Sequence, residues 1–488
     1  MIRETHIMNY FFILICLLFQ TCNPAKLLNV PPPNTNGNWI QFLFREKLET
    51  IDTVLPENVP SDENPNSLEL EWTLLAGTPN TMTTNKGFAV DQNASIYVAG
   101  DTNGGVYGPG PIGTRDLILG KYNSQKNTIW TQQVGTAGVG LQVEGVAVDP
   151  NGNAYVTGHT NGDFANPLVG AEDLFLIKFN SADGARVWTR QIGLPGVRIV
   201  GGGYSIVPKG IAVDTFGNSY IVGNSTGAFG GPETGPNGFI IKFDTDGNQR
   251  WVSQLAIRNA QSFPRGVAFD RITGNVYMVG TGTANFATDT FPGLGGNANS
   301  DLFILRYDAN NGNRQFFAQL GSALRTTEGS SITVDSSGNV FAGGTSKADY
   351  GSGADGTSWL GTLVKYNSLG VLQWVRQVGP IRGAGKQTVI ETIVSDTEGN
   401  VFTTGRTNGN IPDGSADSLG RNDAFLTKHD SSGQSQWLRQ IGTPGATITG
   451  NGIGSDRNGN LYGSGSTDRE INGVPAQGNS DLFIVKYK

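Results

Sequence analysis

Residues 146–160 read VAVDPNGNAYVTGHT. Within them Asp149, Asn151 and Asn153 stand at alternate positions with Gly152 between. A calcium loop opens this way, and so does a tight β-hairpin. The chain writes the stretch seven times, which allows the two readings to be separated. Aligned on the turn, the copies begin at Asp91, Asp149, Asp214, Asp270, Asp335, Asp396 and Asp456. A calcium loop needs oxygen ligands at its first, third and fifth positions and a carboxylate at the twelfth. The third position reads Asn93, Asn151, Phe216, Ile272, Ser337, Glu398 and Asn458, and the twelfth position of the opening stretch is Thr160. Phe and Ile cannot ligate. What persists is the Asp, followed by Gly–Asn in six copies and Ala94–Ser95 in the other. Gly supplies the positive φ of a tight hairpin, and Asp and Asn bond the local backbone.

Working outward, each Asp is followed six or seven residues on by an aromatic: Tyr97, Tyr155, Tyr220, Tyr277, Phe341, Phe402 and Tyr462. An apolar run then ends in a cation: Lys121, Lys178, Lys242, Arg306, Lys365, Lys428 and Lys486. Nine or ten residues later comes Trp130, Trp188, Trp251, Trp374 or Trp437, with Phe316 in that place once. The seventh copy ends before its Trp, and Trp72 precedes the first. In the second copy the pattern predicts strands a (145–149), b (153–160), c (173–179) and d (185–193). Four-stranded antiparallel units of this kind bury both faces when repeated radially. The expectation is an all-β, seven-bladed β-propeller over 68–488, closed by an N-terminal strand around Trp72 joining the last blade.

The words GVAVDPNGNAYVTG and DLFLIKFNSADGARVWTRQIG resemble the seven-bladed β-propeller (SBBP) repeat family of exported bacterial proteins, found often in spirochaete lipoproteins. That resemblance implies the fold and export and no agreed activity. The Asp–x–x–Gly–Asn word also looks like NHL-type repeats. NSADGARVW is similar to the Trp-docking motif of quinoprotein-like propellers, among them a lipoprotein of the outer-membrane assembly machine, which usually have eight blades.

The 488 residues include 70 Gly, about double the ordinary ~7% share. Net charge is −7, which argues against nucleic acid as a partner. Residues 10–19, YFFILICLLF, suit a secretory signal core and are too short to span a bilayer. With Cys22 directly behind, 1–22 resembles a bacterial lipoprotein signal, which implies lipidation at Cys22 and two-chain anchoring. Phe19, Gln20 and Thr21 depart from the usual pattern. Residues 23–67 read as linker, with a short helix expected at 38–55. Both cysteines, Cys16 and Cys22, lie at this end, so the ring has no thiol to offer a disulfide, a nucleophile or a metal.

The a–b and c–d spacings are nearly invariant, whereas the aromatic-to-cation distance runs from 22 to 29 and the link into the next Asp reaches 26. Strand direction alternates, so the variable b–c and d–a links share one face. Loops 194–210, 283–300, 380–391 and 407–422 form the candidate binding face. His6, His159 and His429 are isolated in sequence, and no nucleophile elbow or phosphate loop appears. Candidate carboxylates Asp163, Glu233, Asp289 and Asp413 have no sequence-defined partner. The repeated Asp, cation and Trp positions, with Gln133, Gln191, Gln254, Gln319, Gln377 and Gln440, read as structural, because catalysis needs different groups converging. No enzyme, catalytic residue, cofactor or metal is expected. The function expected is an exported, lipid-anchored, monomeric scaffold at the outer membrane or cell surface, taking a protein or glycan ligand. An envelope assembly factor ranks second and a propeller hydrolase or lyase third.

Overall fold

The computed structural model describes residues 69–196, 203–231, 237–289, 299–354, 356–379, 385–411 and 418–488. The signal segment, Cys22 and the helix expected at 38–55 lie outside them. The described chain holds 28 strands in seven four-stranded sheets. It enters with β1 (Leu70–Ala76). Blade 1 follows as β2 (Thr83–Val90), β3 (Ile96–Thr102), β4 (Asp116–Tyr122) and β5 (Thr128–Val134). Blade 2 is β6 (Leu141–Val148), β7 (Ala154–Thr160), β8 (Asp173–Phe179) and β9 (Arg186–Ile192). Blades 3 to 6 contribute β10–β25 between Ile206 and Ile441. The last blade is β26 (Ile448–Ser455), β27 (Leu461–Thr467) and β28 (Asp481–Tyr487), completed by β1. Every neighbouring pair within a sheet is antiparallel, and β1 pairs β28 from Leu70↔Tyr487 to Ala76↔Leu482. Two backbone bonds between Glu69 and Lys488 seal this junction.

Strand a of each blade packs on strand a of both neighbours, including β2 against β26, so the a strands form the inner wall and the ring is closed. The b and c strands are buried on both faces, as in β7 and β8, where every residue is buried. This is the continuous apolar patterning of a sheet sandwiched between two others.

The observed a strands begin earlier than the sequence suggests. In blade 2 the strand starts at Leu141, and a bulge at Glu144 breaks its register between Val143 and Gly145. The same bulge recurs in all seven a strands, at Lys86, Lys209, Arg265, Ser330, Glu391 and Asn451 in the others. It hides the first half of the strand from a period-two reading. Consequently 206–210 belong to β10 (Ile206–Val213), and 388–391 belong to β22 (Thr388–Ser395), rather than to loops.

One aromatic assignment also changes. Phe316 is 42% exposed, whereas Phe317 is 8% exposed and meets Tyr277 edge-on at 5.0 Å. Trp130 meets Tyr97 in the same manner at 6.1 Å. In the other complete blades the c–d bulge falls just before the Trp, but here it falls on Phe317 itself, so its ring turns inward. Phe317, not Phe316, therefore takes the place of the missing Trp. Truncating Phe317→Ala is expected to cost about 3–5 kcal/mol, whereas Phe316→Ala stays within about 0.5 kcal/mol. Urea unfolding of the two variants checks this, and equal losses would restore Phe316 to the seam.

Candidate functional site

The repeated polar positions resolve into two structural devices. At the a–b turn, Asp149 Oδ1 accepts the N–H groups of Asn151 and Asn153 at 2.9 Å each. Its Oδ2 accepts the Asn153 amide at 2.8 Å and faces the Tyr155 hydroxyl at 3.4 Å. Gly152 has φ 79°, and Ala94 adopts 61° in the copy lacking that Gly. The carboxylate oxygens are committed to their own hairpin, and its ligand-like spacing is that of a turn. Among the described residues no three His, Asp or Glu side chains are placed to hold a metal ion.

The second device crosses the seams. Trp130 Nε1 donates to Ser181 O in the c–d turn of the next blade at 3.0 Å, and Lys121 Nζ donates to the same carbonyl at 2.9 Å. Trp188 and Lys178 share Thr245 O, Trp251 and Lys242 share Ala309 O, and Trp374 and Lys365 share Ser431 O. Trp72 of the last blade reaches Ser124 O of blade 1 at 3.2 Å. Each of these lysines also lies over the aromatic of its own strand b, at 5.0 Å for Lys121 and Tyr97.

The opposite face is assembled differently. Parallel bridges Arg115↔Gly140, Glu172↔Ser205, Trp359↔Gln387 and Asn422↔Thr447 lay the b–c link of blades 1, 2, 5 and 6 beside the d–a link that follows the blade. The four candidate loops sit here, described at 194–196, 203–210, 283–289, 299–300, 385–391, 407–411 and 418–422. The repeated Gln fastens each b–c link to the sheet. Gln191 Oε1 accepts N–H groups of Phe164, Ala165 and Asn166, while its Nε2 donates to Asp173 Oδ2 at 2.9 Å. Asp173 in turn accepts the N–H groups of Val169 and Gly170. Asp116, Asp423 and Asp481 accept the N–H groups of the residues four and three before them in the same way. These strand-c aspartates were visible in DLILGK, DLFLIK and DLFIVK as the residue opening each apolar run. They make the base of each variable link rigid.

Of the candidate carboxylates, Asp163 accepts the Leu168 N–H within its own loop, and Asp289 pairs with Arg314, which opens strand d of the same blade. Glu233 and Asp413 lie outside the described residues. His429 occupies the place of an aromatic, 4% exposed.

His159 is isolated in sequence but not in space. Glu144 Oε1 stands 3.7 Å from its Nδ1, and Glu172 Oε1 stands 3.6 Å from its Nε2. Lys209 of blade 3 pairs with Glu144 at 2.6 Å, and Arg115 pairs with Asp101 in the neighbouring seam at 3.4 Å. Sequence reading missed this cluster because its members come from three blades. The two carboxylates flank opposite edges of the ring and do not converge on one point. Neither lies within hydrogen-bond reach. Burial, reinforced by Lys209, Lys86 and Arg115, lowers the His159 pKa to about 4, and burial lowers that of His429 to about 4 as well.

Seven four-stranded antiparallel blades closed by the N-terminal strand define a seven-bladed β-propeller. A repeat family described as SBBP, beta-propeller repeat, matches seven times, at residues 71–108, 129–165, 187–230, 250–287, 315–351, 373–412 and 436–471. The chain belongs to that family. No curated protein shows significant sequence similarity. Solved structures are similar to the chain only at low identity. A virginiamycin B lyase from Staphylococcus aureus is 10% identical with a TM-score of 0.44, over 85% of this chain and 98% of that one. The Dos1 propeller is 9% identical with a TM-score of 0.45, over 86% and 95%. The polysaccharide lyase Uly1 is 9% identical with a TM-score of 0.46, over 86% and 99%. Likeness at this level says nothing about activity.

Both buried histidines bind fewer protons in the folded chain than in the unfolded chain between pH 6.5 and 4. Their neutral burial therefore supports the fold above pH 6.5, and that support is lost as pH falls through the window, by at most about 3 kcal/mol for each residue. His429→Phe, the residue type other blades use there, is expected to remove its share of the loss. Urea unfolding at pH 7 and pH 4.5 measures it, and an unchanged pH dependence would show that His429 is not buried neutral.

Proposed function

We propose that the protein is an exported, lipid-anchored binding scaffold of the cell envelope or surface, which takes a protein or glycan ligand on its variable-loop face. One observation carries the reading. Length variation is concentrated in the b–c and d–a links, while Glu69, where the chain enters β1, lies at the opposite face beside Lys488. The described chain enters β1 at the constant-turn face, so a tether through Cys22 would join the ring on the side away from the variable loops. The repeated Asp, Trp, cation and Gln groups are occupied in turns, seams and loop bases, which leaves recognition to the residues that differ between blades. An envelope assembly factor stands second, since the propellers that suggested it usually carry eight blades. A hydrolase or lyase stands third.

Palmitate labelling of the expressed protein is expected to disappear in Cys22→Ala, and persistent labelling would remove the anchor from the proposal. Replacing 283–300 and 407–422 with Gly–Ser linkers of equal length tests the face. Binding on a glycan array or to a defined envelope protein is expected to be lost while the circular dichroism of the ring stays unchanged. Retained binding would place recognition elsewhere.

A further inference from the structure

The seven a-strand bulges place one side chain per blade along the inner wall: Lys86, Glu144, Lys209, Arg265, Ser330, Glu391 and Asn451. Lys209 Nζ reaches Glu144 Oε1, and Ser330 Oγ donates to Ile390 O, each from one innermost strand to the next. Both glutamates of this ring are neutralised, Glu144 by Lys209 and Glu391 by Arg406 at 2.5 Å. Lys86 and Arg265 are exposed and make no ion pair or hydrogen bond among the described residues. A chain of net charge −7 thus keeps two unpaired cations on its inner wall, Lys86 on blade 1 and Arg265 on blade 4, with the Lys209–Glu144 pair between them. Low-dielectric walls lined by one sign of charge concentrate ligands of the other.

A second irregularity occurs at the same level. In three seams a strand-b side chain accepts the N–H of the residue just before the next blade's bulge. Ser466 Oγ takes it from Asn85 at 2.9 Å, Thr281 Oγ1 from Gly329 at 3.1 Å and Asp101 Oδ2 from Val143 at 3.4 Å. In blades 3 and 4 that residue is Pro208 and Pro264, which have no N–H to give. The strand-b residues before them are His159 and Asn224, and His159 Nδ1 and Asn224 Oδ1 have no hydrogen-bond partner. His159 is 6% exposed. An orphaned buried polar atom costs on the order of 1–3 kcal/mol, and nearly all such atoms in folded proteins are paired. The packing accommodates the substitution, because Gly238 of blade 3 lacks the Cβ that would strike the Pro264 ring. Each proline is followed at once by a bulge cation, Lys209 or Arg265.

We propose that the inner wall where blades 2, 3 and 4 meet binds a small hydroxycarboxylate of the acidic-sugar class, its carboxylate taken by Arg265 and Lys209 and its hydroxyls donating to Asn224 Oδ1 and His159 Nδ1. A bare anion would satisfy the cations and leave both acceptors unpaired, and a neutral sugar would do the reverse. Both acceptor atoms are shielded from bulk solvent, so binding requires both side chains to rotate: Asn224 is half-buried, and the buried His159 ring is held by no hydrogen bond from Glu144 or Glu172. The site is built from strand residues and does not depend on the variable loops.

Titration of the full chain with D-glucuronate at pH 7, by calorimetry and by the ring proton signals of His159, tests the assignment. Saturable binding with a Kd below about 1 mM and a shift of the His159 signals are expected, with glucose and acetate each at least about tenfold weaker. Arg265→Ala is expected to weaken binding about tenfold, in line with loss of a charged hydrogen-bonding pair. Pro264→Ala, which supplies Asn224 with a strand N–H, is expected to weaken it several-fold while raising the thermal midpoint. Lys347→Ala on blade 5, and the Gly–Ser exchange of 283–300 and 407–422, are expected to leave it unchanged, which separates this site from the loop-face reading. No heat and no shift at about 10 mM glucuronate, acetate binding as tightly as glucuronate, or an Arg265→Ala variant that binds like the parent would each overturn the proposal.

Discussion

The ring depends on one contact repeated at its seams: a Trp indole and a Lys ammonium of one blade sharing a single carbonyl in the c–d turn of the next. At blade 1 this is Trp130 and Lys121 on Ser181 O. A blade buries two apolar faces and cannot stand alone, and apolar burial by itself is indifferent to small slides between sheets. The shared carbonyl sets the offset. It also explains the turn glycines, since a Cβ at Gly184 would lie 2.6 Å from the Trp130 ring. Among the blades that carry the Trp, only blade 6 faces no such turn, because its successor is the blade assembled from the two ends of the chain. There Glu69 and Lys488 exchange two backbone bonds where a hairpin would otherwise stand.

What was legible in the sequence follows from the same physics. The Asp-to-aromatic spacing is rigid because one carboxylate serves a hairpin and the tyrosine above it, as Asp149 and Asp214 do for Tyr155 and Tyr220. A constraint satisfied inside one blade recurs in each blade, and recurrence can be read. The a-strand bulge is equally recurrent yet was hidden, because Pro208–Lys209–Gly210 has the composition of a loop while its backbone continues as a strand. Phe316 and Phe317 could not be told apart because adjacent residues of one type differ only by a register shift, and that shift is set by hydrogen bonding to strand c.

The charged cluster around His159 belongs to a different category. Glu144 and Lys209 hold the bulge position of neighbouring blades, whereas His159 and Glu172 stand at other repeat positions, and no recurring residue type links them. Strand b contributes Asp101, His159, Asn224, Thr281, Thr345, Arg406 and Ser466 at equivalent registers. That one position is a carboxylate, an imidazole, amide, hydroxyl or guanidinium in turn, while the Trp and Asp positions barely change. Where a position serves the ring, each blade imposes the same demand on it. Where it varies, the demand differs from seam to seam: Asp101, Thr281 and Ser466 accept an N–H across the seam, and His159 and Asn224 face a proline that has none to give.

The two prolines sharpen that distinction. A proline in a strand removes a ladder or cross-seam donor and belongs at edges or bulges. Pro208 and Pro264 sit one residue before a bulge, which spares the ladder, and their loss is felt only across the seam, at His159 and Asn224. Three other seams keep the N–H and fill the same acceptor position with Ser466, Asp101 or Thr281. The fold has a ready solution at this place, uses it in three seams, and in two adjacent seams replaces the donor with a proline, next to the unpaired Arg265. The cation that follows each proline, with the unpartnered His159 Nδ1 and Asn224 Oδ1 behind them, sets that arc of the inner wall apart from the repeat.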